Sequence, residues 1–96
     1  MCLSKLFHRD VEVKISMQFG EPYFGELSAF LKTSFDARFI GEHAIAFDLA
    51  CFDFEINGVK LAVISEGMEG TSLRGPQELV RQIVAEARRV ASKLVE

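Results

Sequence analysis

Between residues 52 and 63 the chain reads Phe-Asp-Phe-Glu-Ile-Asn-Gly-Val-Lys-Leu-Ala-Val, and the Asn57-Gly58 pair at its centre constrains the fold more than any other feature. A two-residue type I′ turn needs positive φ at both central positions, and Asn followed by Gly reaches that conformation at least cost. Around such a turn Ile56 falls opposite Val59, Phe54 opposite Leu61 and Phe52 opposite Val63 on one face, while Glu55 falls opposite Lys60 on the other. Apolar and charged pairings agree on one register, so a tight antiparallel hairpin is predicted.

A second strand is predicted over 11–19, where Val11, Val13, Ile15, Met17 and Phe19 alternate with Glu12, Lys14, Ser16 and Gln18. Gly20-Glu21-Pro22 ends it, and Pro22 suits the start of a helix because its missing N–H is not needed there. Phe24, Leu27, Phe30 or Leu31, and Phe35 then share one helical stripe, with Gly25 weakening the first turn. From Ala37 to Ile64 the chain is rich in Phe, Ile and Val and reads as antiparallel strands.

Within that stretch the apolar phase changes. Ile45, Phe47, Leu49 and Cys51 are odd-numbered, whereas Phe52, Phe54 and Ile56 are even, so one flat strand with a single buried face cannot satisfy both sets. A bulge or bend near Ala50 to Phe52 is the preferred solution. A turn around Asp48 to Cys51, or burial of both faces, would also serve. Leu61-Ala62-Val63-Ile64 is apolar at both parities, which points to a second buried face covered by a helix or a second copy. Gly67, Gly70 and Gly75 with Thr71 and Ser72 read as a mobile loop over 66–75. Pro76 opens a final helix, whose apolar stripe of Leu79, Val80, Ile83, Val84, Ala87, Val90, Ala91 and Leu94 continues to the end of the sequence.

The predicted fold class is α+β: an antiparallel sheet of three to four strands with two helices, in the order β-α-β-β(-β)-α, as a two-layer sandwich. At 96 residues this is a single domain over 1–96 with one core, residues 1–9 being expected to form a poorly ordered N-terminal tail. Nine Phe against one Tyr and no Trp make most aromatic surface purely apolar, as in core filling. A formal net charge of -3 supplies no field for a phosphate backbone or an anionic bilayer, so neither nucleic acid nor membrane is expected as a partner. Cys2 and Cys51 lack the spacing of a zinc site or a disulfide framework, and a cytoplasmic location is expected.

No catalytic residue, metal ligand set or cofactor motif emerges. Thr71 and Arg74, ahead of the Pro76 helix, are the candidate ligand-binding residues, because exposed amides at a helix N-terminus favour anions. Glu66 and Glu69 oppose that reading, and the spacing matches no phosphate loop. His8 and His43 have no partners at metal-ligand spacing. On a continuous strand His43 and Cys51 would lie about 26 Å apart. Asp48 and Asp53 could form a carboxylate pair for acid/base chemistry, although Asp in a sheet more often marks a solvent face. Arg74, Arg81 and Arg88 recur every seven residues, a basic stripe if all three were helical.

The preferred functional reading is a non-enzymatic protein-interaction domain, self-associating as a homodimer through an apolar sheet face with Phe47, Leu49, Ala62 and Ile64 in the interface. The alternative is a small-molecule or anion-binding domain, or a minor enzyme, with the 66–75 loop as its lid.

Overall fold

The computed structural model describes residues 10–46 and 48–96, with the backbone path alone over 43–46. The tail expected for 1–9, including Cys2 and His8, and the interface residue Phe47 lie outside the described residues. The elements are β1 (Asp10–Ser16), α1 (Tyr23–Phe35), β2 (Arg38–Ala46), β3 (Leu49–Ile56), β4 (Val59–Glu66), β5 (Gly70–Pro76), α2 (Gln77–Val90) and a closing 3-10 turn (Ser92–Leu94). The strands form one antiparallel sheet in the order β1-β5-β4-β3-β2. The fold is α+β, with two helices and five strands among the described residues, so the expected count of three to four strands is corrected.

The Asn57-Gly58 hairpin has the predicted register. Both residues take positive φ, 51° and 79°, and Ile56 faces Val59, Phe54 faces Leu61, Phe52 faces Val63 and Glu55 faces Lys60. The ion pairs go elsewhere, however: Glu55 binds Arg38, its direct partner on β2, and Lys60 Nζ lies 3.6 Å from Asp53, its diagonal neighbour.

The expected bulge near Ala50 to Phe52 is corrected, because β3 runs against β4 without a register shift from Leu49 to Ile56. A turn at Asp48 separates β2 from β3, so Ile45 and Cys51 belong to different strands. Within β3 both parities are apolar because both faces are buried: Phe54 and Ile56 enter the main core, and Cys51 joins a smaller cluster with Ala62 and Ile64 on the opposite face. The register shifts of β2 fall instead beside Gly41 and beside Ala46.

The mobile loop expected over 66–75 is also corrected. Only Gly67 to Glu69 turn, and Gly70–Pro76 is an interior strand hydrogen-bonded to β1 on one side and β4 on the other. Two full ladders hold a sequence of poor strand propensity, and its small residues permit close approach. A Cβ on Gly70, whose φ is +97°, would lie 2.2 Å from the Ser16 carbonyl oxygen. The Thr71 hydroxyl donates to the Gln18 carbonyl at 2.7 Å.

β1 ends at Ser16, short of the predicted Phe19, and Met17 and Phe19 are exposed. The backbone here leaves the ladder for side-chain partners: the Met17 N–H donates to the Glu96 carboxylate at 3.1 Å and the Gln18 N–H to the Ser16 hydroxyl at 3.1 Å. α1 buries Leu27, Phe30 and Leu31 as its stripe predicts, and Asp36 closes it in the left-handed conformation, which Asp tolerates better than most residues. α2 buries Val80, Ile83 and Ala87. It ends at Val90 rather than at the end of the sequence, and the 3-10 turn returns Leu94 to the core. Arg74 lies in β5, so the seven-residue basic stripe shrinks to Arg81 and Arg88.

One core joins both helices to the face of the sheet bearing Ile15, Leu73, Val63, Leu61, Phe54 and Ile56. The Phe24 ring lies 4.2 Å from that of Phe52, and Phe30 meets Phe35 edge-on at 5.9 Å. The segment after α2 is stitched to β1. The Glu96 N–H donates to the Ile15 carbonyl at 2.8 Å, and the buried Tyr23 hydroxyl donates to the Leu94 carbonyl at 2.7 Å.

Gly70→Ala is expected to destabilise the protein by about 2–5 kcal/mol, combining backbone strain with steric overlap. Gly58→Ala, with φ +79° but nothing within 4 Å of its Cβ, should cost only the strain, about 1 kcal/mol. Urea denaturation of both variants measures the difference. The Tyr23 phenol is pushed up to about 12, chiefly by burial, from an ordinary 10.0. The unfolded chain therefore loses this proton first, so the Tyr23 contribution to folding stability is fully present below pH 10 and is lost as pH rises from 10 towards 12. Tyrosinate absorbance, read against denaturation midpoints over that range, checks both the value and the sign.

Candidate functional site

The helix-free face of the sheet is built from alternate residues of each strand, and its register sets charges in rows. Glu12, Arg74, Ala62 and Asp53 are successive cross-strand neighbours, and Lys14, Ser72, Ile64, Cys51 and His43 form the next row. The Arg74 guanidinium donates to Glu12 at 2.8 and 3.2 Å, and that hydrogen bond, followed by the Glu12 charge, raises its already high pKa. Lys14 Nζ lies 3.7 Å from Glu69. Exposed pairs of this kind each contribute roughly 0–1 kcal/mol, so they order the surface more than they hold the fold.

At the centre of this face Cys51, Ala62 and Ile64 are buried, with Leu49 packed against them. The Cys51 thiol contacts the Asp53 carboxylate at 3.7 Å. Burial first, then the Asp53 charge, raise its pKa. A nucleophilic cysteine needs the opposite environment, one that stabilises thiolate. The turn at Asp48 also overturns the separation inferred from sequence for His43 and Cys51. These residues are direct cross-strand partners rather than the ends of one strand, which brings their Cα atoms to about 4.5–5.5 Å. The side chain of His43 lies outside the described residues.

The structure does not bring the remaining sequence candidates together. Thr71 and Arg74 sit on β5 at opposite parity and so on opposite faces; Thr71 is buried and spends its hydroxyl on Gln18, while Arg74 holds Glu12. Asp48 is exposed in a turn and Asp53 is buried in β3, about 16 Å along the chain direction. Of the four expected interface residues, Leu49, Ala62 and Ile64 do share the helix-free face. Among the described residues no group of three His, Cys, Asp or Glu side chains is placed to hold a metal, and no helix is long and apolar enough to cross a membrane.

Sequence reasoning missed the strand edges. Val13 on β1 is 40% exposed, and Phe39 and Ile40 on β2 are 43% and 52% exposed. Beside β1 a groove of about 350 Å³ runs between the strand and α2, floored by Val11, Val13, Val80 and Val84 with Arg81 and Arg88 along it. The alternation of residues 11–15 is a signal that could have found β1, but an alternating strand does not declare whether it is central or at an edge. A shallower concavity near the hairpin mixes Lys32 and Arg38 with Asp36 and Glu55 and has no dominant charge.

Compared with protein-family models, with curated proteins and with solved structures, the chain finds no match. In a Cys2→Ser variant the Cys51 thiol is expected to react with a disulfide reagent at neutral pH at least tenfold more slowly in the folded protein than in urea, because burial and Asp53 disfavour thiolate. Equal rates would remove the proposed shielding of this thiol.

Proposed function

We propose that this chain is a non-enzymatic protein-interaction domain that self-associates. The observation that supports it best is the distribution of apolar surface. Val13, Phe39 and Ile40 are exposed on the two outermost strands, whose outer backbone edges have no ladder partner among the described residues. Exposed sheet edges are templates for pairing with another chain, and exposed apolar side chains beside them add burial when pairing occurs. Leu49, Ala62 and Ile64, three of the residues expected in the interface, cluster on the helix-free face. Ala62 and Ile64 are already 8% and 6% exposed within one chain, so they have little area left to bury against a partner. The edges carry the reading for that reason.

A ligand-binding role for Thr71 and Arg74 has less support, since Gly70–Pro76 is an interior strand rather than a lid and both side chains are engaged. The proposed setting is the cytoplasm, with which a free, buried thiol at Cys51 is compatible. Light scattering coupled to size-exclusion chromatography, over a dilution series, is expected to show a dimer that dissociates only at the lowest concentrations. A monomer at every concentration would overturn the self-association reading.

A further inference from the structure

Going beyond self-association, we propose that the groove between β1 and α2 is a docking site for an extended acidic segment of a different protein, which adds to the β1 edge as a further strand. On its groove side the segment carries one apolar side chain flanked, two residues away in each direction, by carboxylates for Arg81 and Arg88. The argument begins from what the edge leaves open. Among the described residues β1 is paired with β5 alone, and that ladder is regular from Asp10 to Lys14. At Ile15 the edge closes, because this residue lies out of the ladder at a bulge and its carbonyl accepts from the Glu96 N–H at 2.8 Å. Outward N–H and C=O groups on alternate residues of Asp10–Lys14 are thus available to a short strand and to nothing longer.

A second copy fits this stretch poorly. Centred on Glu12, symmetric pairing would set Glu12 against Glu12 and bring Arg81 and Arg88 of both copies to the same face of the junction. A partner of different sequence avoids both contacts, and self-association through the Phe39 and Ile40 edge is unaffected by it.

The groove specifies the chemistry of that partner. Its floor is Val11, Val13, Val80 and Val84, and the only charged side chains along its lining are those of Arg81 and Arg88. A residue opposite Val13 on an added strand shares its face and so enters the groove. Pro76 pairs with Asp10, so α2 starts at that end of β1 and places Arg81 towards Val11. Arg88 lies towards the other end, where it donates to the carbonyl of Glu96, the residue that holds Ile15. The two arginines are two helical turns apart, about 10 Å. Carboxylates at i and i+4 of an extended segment are about 13 Å apart, a span that two flexible guanidinium arms can meet. One carboxylate then lies opposite Val11, the apolar residue opposite Val13, and the second carboxylate where the segment leaves the edge at Ile15.

Neither arginine has a strong ion pair to lose. Arg81 is 3.8 Å from the exposed Glu78 on its own helix, and Arg88 donates to a neutral carbonyl at 3.4 Å. The Glu96 carboxylate accepts from the Met17 N–H and the Ser16 hydroxyl. Asp10, Glu12 and Lys14 point to the opposite face, so the acidic preference is confined to the groove side. Strand addition of this kind draws its affinity from main-chain bonds and its specificity from alternate side chains.

The probe is the capped peptide acetyl-Glu-Thr-Val-Thr-Glu-amide, titrated to about 5 mM into isotope-labelled protein and followed by amide NMR. Saturating shifts are expected at residues 11–14 and along 80–88. Arg81→Gln combined with Arg88→Gln, both at exposed positions, should weaken binding about tenfold or more, and so should lysine in place of both peptide glutamates. Methylating two successive central backbone nitrogens of the peptide removes ladder donors and should abolish binding. Absence of saturating shifts, shifts centred away from the groove, or binding indifferent to charge or to methylation would each overturn the docking site. Light scattering on the same protein without peptide reads self-association separately: a monomer that binds the peptide overturns self-association alone, and a dimer that ignores the peptide overturns the docking site alone.

Discussion

The close passage of the Gly70 and Ser16 backbones is the contact on which the rest of the structure depends. β5 is the strand that joins the N-terminal strand to the β2–β4 meander, and at its start Gly70 passes Ser16 so closely that any Cβ there would overlap the Ser16 carbonyl. Once it is seated, Leu73 lies beside Val63 and Val13 on one continuous floor, and both helices have a single apolar surface to cover. The chain beyond α2 then locks the same junction from the outside. Tyr23 binds the Leu94 carbonyl, and Glu96 binds the backbone of Ile15 and Met17. The first strand, the first helix and the final residues are thereby held together at one end of the sheet.

That arrangement divides the surface by chemistry. The helix-covered face takes nearly all of the large apolar side chains, leaving the opposite face a small cluster of Cys51, Ala62 and Ile64 ringed by paired charges. Titratable groups there are matched with each other, and the buried Cys51 thiol is driven toward its unreactive protonated form. The strand edges differ from it in carrying exposed valine, phenylalanine and isoleucine, the surface on which the proposed self-association rests.

Local physics was legible wherever neighbouring residues decide the outcome. The Asn57-Gly58 turn fixes its own register because its φ angles and its flanking pairs are both local properties. The stripe of α1 and the start of α2 are equally local, since helical periodicity is read within a few turns. Reading failed at β5, where Gly70, Gly75 and Pro76 are residue types depleted in strands and the ladders on either side include residues distant in sequence. It failed again between 43 and 51, because period-2 patterning cannot tell one bulged strand from two strands joined at a turn with both faces buried. The candidate site inherits both errors: by local pattern an interior strand reads as a lid, and His43 reads as distant from the residue that it faces.

The sequence by itself determined the fold class, the central hairpin with its register, and the faces that the two helices bury, because turn geometry and hydrophobic period act over a few residues. Only the tertiary structure decided that β5 is interior, that β1 and β2 are edges, and that Thr71 and Arg74 point to opposite sides of the sheet. Strand order is a property of which distant segments bury surface against one another. No local pattern in β1 or β5 encodes whether a strand will have one neighbour or two.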